Sequence, residues 1–99
     1  MITCVIQYTL DPHQIAEFET YATTWPPIIK RCGGDLIGYY LPQEGANDYA
    51  VALIDFPTLS AYEEYRERLA ADPDARQNLK HARRARCIRA EHRSFLRRV

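Results

Sequence analysis

Between Ile15 and Cys32, apolar residues fall at Ile15, Phe18, Ala22, Trp25, Ile29 and Cys32, in steps of 3, 4, 3, 4 and 3. That spacing is one face of a long α-helix. Gly33-Gly34 follows at once, and glycine accepts the left-handed backbone that ends a helix. A helix with one apolar stripe must bury it against other elements. The period on both sides of it is that of strands. ITCVIQYTL (2–10) precedes it and DLIGYYL (35–41) follows, both rich in β-branched and aromatic residues.

Asp11-Pro12 predicts an N-cap followed by proline at the first helical position, with Gln14 completing a capping box. Pro26-Pro27 predicts a kink or break near Trp25, because proline removes a helical N–H and crowds the preceding turn. PQEGAND (42–48) has turn chemistry, and DYAVALIDF (48–56) reads as a third strand. Thr58 or Ser60 caps a second helix with Leu59, Tyr62, Tyr65 or Arg66, and Leu69 as its stripe. Asp72-Pro73 closes that helix and opens another, whose weak apolar face is Ala75, Leu79 and Ala82. Residues 87–98 alternate as a fourth strand. The order is β-α-β-β-α-β with an extra helix before the last strand. This is the ferredoxin-like pattern of the α+β class, a four-stranded antiparallel sheet under two main helices. Ninety-nine residues make one domain, 1–99.

In this pattern the helices cover one face of the sheet, and strands facing water on the other should alternate. LIGYYL (36–41) and AVALI (50–54) are instead nearly continuous apolar runs, which imply burial on both faces. Apart from the loop and the extra helix, the chain has nothing to cover the second face. A homodimer is expected, its two sheets stacking into an α/β barrel.

The net charge is zero, but it is unevenly spread. Residues 1–59 hold two basic against seven acidic residues, and residues 60–99 hold eleven against six. The chain closes on HARRARCIRAEHRSFLRRV (81–99), with seven arginines. A nucleic-acid partner is not expected, since the two halves compensate each other. The strand arginines Arg89, Arg93 and Arg97 read as protection of a sheet edge, with acidic partners from the first half. Three cysteines, Cys4, Cys32 and Cys87, show no CxxC spacing and read as reduced thiols of a cytoplasmic protein. Neither a membrane span nor a signal peptide is expected.

Several stretches together carry a family likeness. Tyr-Thr-Leu (8–10) runs into Asp-Pro-His (11–13), and Lys-Arg-Cys-Gly-Gly-Asp-Leu-Ile-Gly-Tyr spans 30–39. Asp-Phe-Pro-Thr-Leu (55–59), Ala-Asp-Pro (71–73) and Arg-Ser-Phe-Leu-Arg (93–97) follow. The chain resembles the NIPSNAP family of the dimeric α/β-barrel superfamily over nearly its whole length. The resemblance implies a ferredoxin-like fold that dimerises through its sheets. It also implies kinship with cofactor-independent monooxygenases, haem-binding and haem-degrading enzymes and small isomerases. Relatives often carry an acidic and a basic residue where Cys4 and Ile6 stand here, and His and Trp where Ala52 and Ile54 stand. A site served by those polar groups would be lost or moved in this chain.

Among the histidines, His13 reads as exposed in the first helical turn and His81 as solvated on a basic helix. His92, on the alternation face of Ile88, Ala90 and Leu96, is the best candidate base or ligand. A hydrogen-bonded structural histidine is its plainer reading. Tyr8, Trp25, Tyr39 and His92 are the candidate ligand-binding set, lining an aromatic pocket between the first long helix and the sheet. Packing alone is the competing account of the tyrosines and Trp25. Cys32 follows Lys30-Arg31, but its place at a helix C-terminus opposes thiolate formation. His81, Cys87 and His92 match no metal-site spacing, and no cofactor is expected. The leading functional expectation is a small apolar or aromatic ligand, with monooxygenase-like chemistry as one form of it. The alternative is a non-catalytic dimeric module for protein interaction or regulation.

Overall fold

A computed structural model describes residues 1–99. The elements are β1 (Ile2–Leu10), α1 (Ile15–Cys32), β2 (Asp35–Tyr40), β3 (Tyr49–Phe56), α2 (Leu59–Ala71), α3 (Pro73–Ala85) and β4 (Ile88–Leu96). The strands form one antiparallel sheet in the order β2-β3-β1-β4, the ferredoxin-like arrangement. The three helices lie on one face. Cys4, Ile6, Tyr8 and Leu10 of β1 and Ala50, Ala52, Ile54 and Phe56 of β3 point toward them and are buried.

The start of α1 differs from the expected cap. Asp11-Pro12-His13 forms a turn, in which Asp11 Oδ1 accepts from the His13 N–H at 2.9 Å. The helix begins at Ile15, and Gln14 stands at the N-cap without a side-chain bond. Nor is the helix broken at Pro26-Pro27: it runs on to Cys32. Both prolines are exposed, so their rings lie on the solvent side of the helix and do not disturb its buried stripe. Trp25 and Ile28, on either side of them, are buried and keep the stripe in register. Gly33, at φ 105°, ends the helix in a Schellman pattern: its N–H reaches the Lys30 carbonyl, and that of Gly34 reaches the Ile29 carbonyl at 2.9 Å.

The other caps follow the residue chemistry. Thr58 Oγ1 accepts from the Ala61 N–H at 3.1 Å. Asp72 accepts from the N–H groups of Asp74 and Ala75 and also takes a forked bond from Arg31, both arms at 2.8 Å. That carboxylate therefore ties the ends of α1, α2 and α3 together. Buried Asn78 donates to the Tyr21 carbonyl at 3.0 Å and fastens α3 to α1.

Each edge strand carries a register shift of the kind a β-bulge makes. Against β3, Leu36 opposes Ile54 and Gly38 opposes Leu53, which leaves Ile37 unpaired. Against β1, Ile88 opposes Leu10 and Ala90 opposes Thr9, which leaves Arg89 unpaired. Side chains alternate strictly along a regular strand, so each extra residue reverses which later residues face the helices. No helix is long and apolar enough to cross a membrane.

Candidate functional site

A cavity of about 300 Å³ lies between the helices and the sheet, and all seven elements contribute to its wall. This is the small end of the range for ligand pockets, about 300–1,000 Å³. Ile6 of β1 and Ile54 of β3 form its floor, with Ile29 of α1 and Leu69 of α2 beside them. These two floor positions are ones where the NIPSNAP resemblance predicts polar groups, so the wall here is apolar instead. Tyr8, Trp25 and Tyr39 come together in it, with Tyr21 and Tyr65.

The aromatic set is interlocked. Tyr8 meets Phe18 edge-on at 5.0 Å between ring centroids, and Tyr21 meets Trp25 nearly perpendicularly at 5.6 Å. The Tyr8 and Tyr39 hydroxyls share a hydrogen bond at 3.3 Å. Tyr39 reaches this side only because of the shift at Ile37; strict alternation from Leu36 would turn it away. Burial raises the phenol of Tyr21 to about 12 and those of Tyr8, Tyr39 and Tyr65 further. All four are neutral hydroxyls at physiological pH, able to donate a hydrogen bond and unable to act as ready bases. The Trp25 indole N–H is buried and makes no well-formed hydrogen bond, although the Tyr21 side chain lies close enough to interact with it.

His92 does not join this set. It opposes Gln7 on the sheet face that the helices leave open, and it is exposed. The expected apolar surroundings are absent because the shift at Arg89 separates Ile88 from Ala90 and His92. Ile88 faces the helices; Ala90, His92, Ser94 and Leu96 face away. In their place Glu91, Arg93 and Phe95 turn inward. Arg93 bonds the Tyr62 hydroxyl at 3.1 Å and Glu91 Oε2 at 3.4 Å. Tyr62 in turn stacks edge-on against Phe95 at 4.7 Å. These β4 residues were visible in the sequence as one alternation face; what was missing was which face turned inward.

The remaining candidates lie elsewhere. His13 is exposed in the turn before α1. His81 stands 3.0 Å from Glu17 Oε2, between α3 and α1, out of line for a hydrogen bond. Burial raises the thiols of Cys4, Cys32 and Cys87, and Asp72 beside Cys32 adds to it there. None is a ready thiolate. Of the three strand arginines expected to meet first-half acids, Arg89 does, 3.7 Å from Asp11; Arg93 pairs with Glu91 instead and Arg97 forms no ion pair, while Arg98, just beyond β4, lies 3.6 Å from the buried Asp55. No three His, Cys, Asp or Glu side chains converge to hold a metal ion.

The fold and this cavity can be set beside known proteins. No curated protein sequence matches the chain. A NIPSNAP family protein of Agrobacterium tumefaciens, of unknown function, superposes with a TM-score of 0.86 at 24% identity; the match covers 100% of this chain and 88% of that one. An uncharacterised NIPSNAP domain protein of Burkholderia xenovorans gives 0.81 at 21% identity, covering 100% and 95%. A Bordetella bronchiseptica protein, named as a candidate antibiotic biosynthesis monooxygenase, gives 0.77 at 17% identity, covering 99% and 96%. These likenesses fix the fold, and the sequence itself fixes the family. The NIPSNAP family model matches residues 4–99, nearly the full length over which the motifs were read, and the chain belongs to the NIPSNAP family.

Proposed function

We propose that the chain works as a homodimer holding a small apolar or aromatic ligand in the cavity between the three helices and the sheet. The carrying observation is the cavity itself: an isoleucine floor, the Tyr8–Tyr39 pair and the buried Trp25 indole in one wall. Support for the dimer comes from the open sheet face. Val5, Val51 and Leu53 lie there with Ile37, Tyr40 and Tyr49, and its only Asp or Glu residues, Asp35 and Asp55, sit at one end. An apolar sheet face of this kind suits a second copy better than water. The free cysteines suit a reducing compartment such as the cytoplasm.

Binding is favoured over chemistry. The Bordetella relative's name supplies a monooxygenase-like reading by analogy only. Against it stand the neutral phenols and the isoleucines at positions where relatives carry polar groups. The non-catalytic alternative, a module regulated by its ligand, fits the same geometry. Native mass spectrometry tests both halves of the proposal. A two-subunit mass with a retained small molecule is expected. A monomer mass at micromolar concentration removes the dimer. The absence of any shift in Trp25 emission across a panel of aromatic metabolites and haem removes the ligand.

A further inference from the structure

The rim of the cavity is strongly biased toward one sign of charge. Four guanidiniums border it: Arg93 from β4, Arg66 from α2, and Arg76 and Arg83 from α3. Glu91 is the sole carboxylate among the lining residues, and Arg93 already engages it at 3.4 Å. Arg66, Arg76 and Arg83 make no ion pair or side-chain hydrogen bond, whereas Arg31, Arg68, Arg89 and Arg98 each have an acidic partner. Arg76 and Arg83 are seven residues apart, two helical turns, so they stand on one side of α3. Leu79 lies between them and joins the same wall. The helix thus presents a row of arginine, leucine and arginine to the opening.

We propose that the ligand is an amphipathic organic anion, with its apolar body over Ile6 and Ile54 and one carboxylate or phosphate held among Arg66, Arg76 and Arg83. The inference rests on the ligand-binding reading above and names the chemical class. Like charges gathered around one opening repel one another, and an anion bound among them relieves that repulsion. The guanidinium fork matches both carboxylate and phosphate geometry. The wall does not oppose an anion either, because its phenols are neutral and its carboxylate is occupied. A cationic head group would meet three unanswered positive charges, and specificity follows as much from that repulsion as from attraction.

Trp25 is the only tryptophan of the chain, so its emission reports on this cavity directly. The test titrates the purified protein with four probes sharing one body: 4-phenylbutyrate, 4-phenylbutyramide, 4-phenylbutylamine and 4-phenylbutyl phosphate. Binding of the carboxylate or the phosphate about tenfold or more tighter than the amide is expected, with the amine weakest. The stronger of the two anions identifies the head group. The double variant Arg76→Gln/Arg83→Gln, which keeps Arg66, should lower the anion-over-amide affinity ratio about threefold or more, and an unchanged ratio would overturn the inference; both residues are exposed, and thermal unfolding checks that the fold is intact. If amide and anion bind equally, or the amine binds best, the anion inference falls while the cavity reading stands. If no probe moves Trp25 emission, both fall.

Discussion

Arg93 faces the helices, and His92, its neighbour in the chain, faces away. Across the β1–β4 ladder Ile6 opposes the first and Gln7 the second. The two residues should therefore respond to substitution in different ways. Arg93→Met removes the bonds to Tyr62 and Glu91 and leaves a bare carboxylate at the cavity. Affinity for 4-phenylbutyrate, read by Trp25 emission, is expected to fall about tenfold. His92→Ala should leave it within about twofold, as for an exposed residue without special contacts. The reverse pattern would contradict this assignment of faces.

Leu53 points to the open side of the sheet and takes no part in the core beneath the helices. Leu53→Lys should leave the monomer folded but place an unpaired ammonium in a dimer interface, at several kcal/mol. Sedimentation velocity should then show a monomer at concentrations where the parent chain is paired. A dimer unaffected by this change is not built on this face.

The Arg31 fork holds the Asp72 carboxyl well below its ordinary value, and the two N–H bonds of the α3 cap act in the same direction. A carboxylate with a lowered pKa in the folded state stabilises the fold above its unfolded value, about 3.9, and loses that contribution as pH falls further. Melting temperature should be nearly flat from about pH 7 to 5 and decline below about pH 4. Asp72→Asn keeps an oxygen acceptor for the cap and loses the ion pair. Its melting temperature at pH 7 should be several degrees lower, and its acid decline shallower. Parallel acid limbs for the two proteins would show that Asp72 is not responsible.

At Gly34 an added Cβ would come within 2.8 Å of Ile29 Cγ2, 3.1 Å of Ile54 Cγ2 and 3.2 Å of the Tyr65 ring. The three neighbours belong to α1, β3 and α2, so no single side chain can swing aside and relieve the contact. Gly34→Ala should cost about 1–3 kcal/mol in urea unfolding, the range for an added group that forces its packed neighbours to shift. Gly45→Ala is a useful contrast: φ is 96° there, yet nothing lies within 4 Å, so its cost is backbone strain alone, about 1–2 kcal/mol.

The fold was legible because helix and strand periods differ and most element boundaries coincide with a stop signal: Asp11-Pro12, Gly33-Gly34, Thr58 and Asp72-Pro73; at the α3–β4 boundary Arg86 takes the left-handed conformation instead of a glycine. Of the kink or break expected at Pro26-Pro27, the break does not occur, because proline chemistry is local and α1 is held by Trp25 and Ile28, buried on either side. The candidate site was partly legible. Tyr8 and Trp25 follow plain periodicity from their element starts and do meet in the cavity. His92 illustrates the limit. Alternation divides a strand into two faces but does not say which one is covered, and the apolar residues Ile88 and Leu96 suggested one choice. The pairing with β1 decided otherwise, and pairing between distant strands is not written in either strand alone.

The two register shifts have a consequence for how chains of this kind can vary. Ile37 and Arg89 are each one residue more than their partner strand requires. Loss of either codon would straighten an edge strand and still deliver the same Tyr39, or the same Glu91 and Arg93, to the cavity. Length variation is ordinarily confined to loops. In this sheet each border strand holds one spare position, so a deletion can be absorbed within a strand without altering which side chains line the cavity.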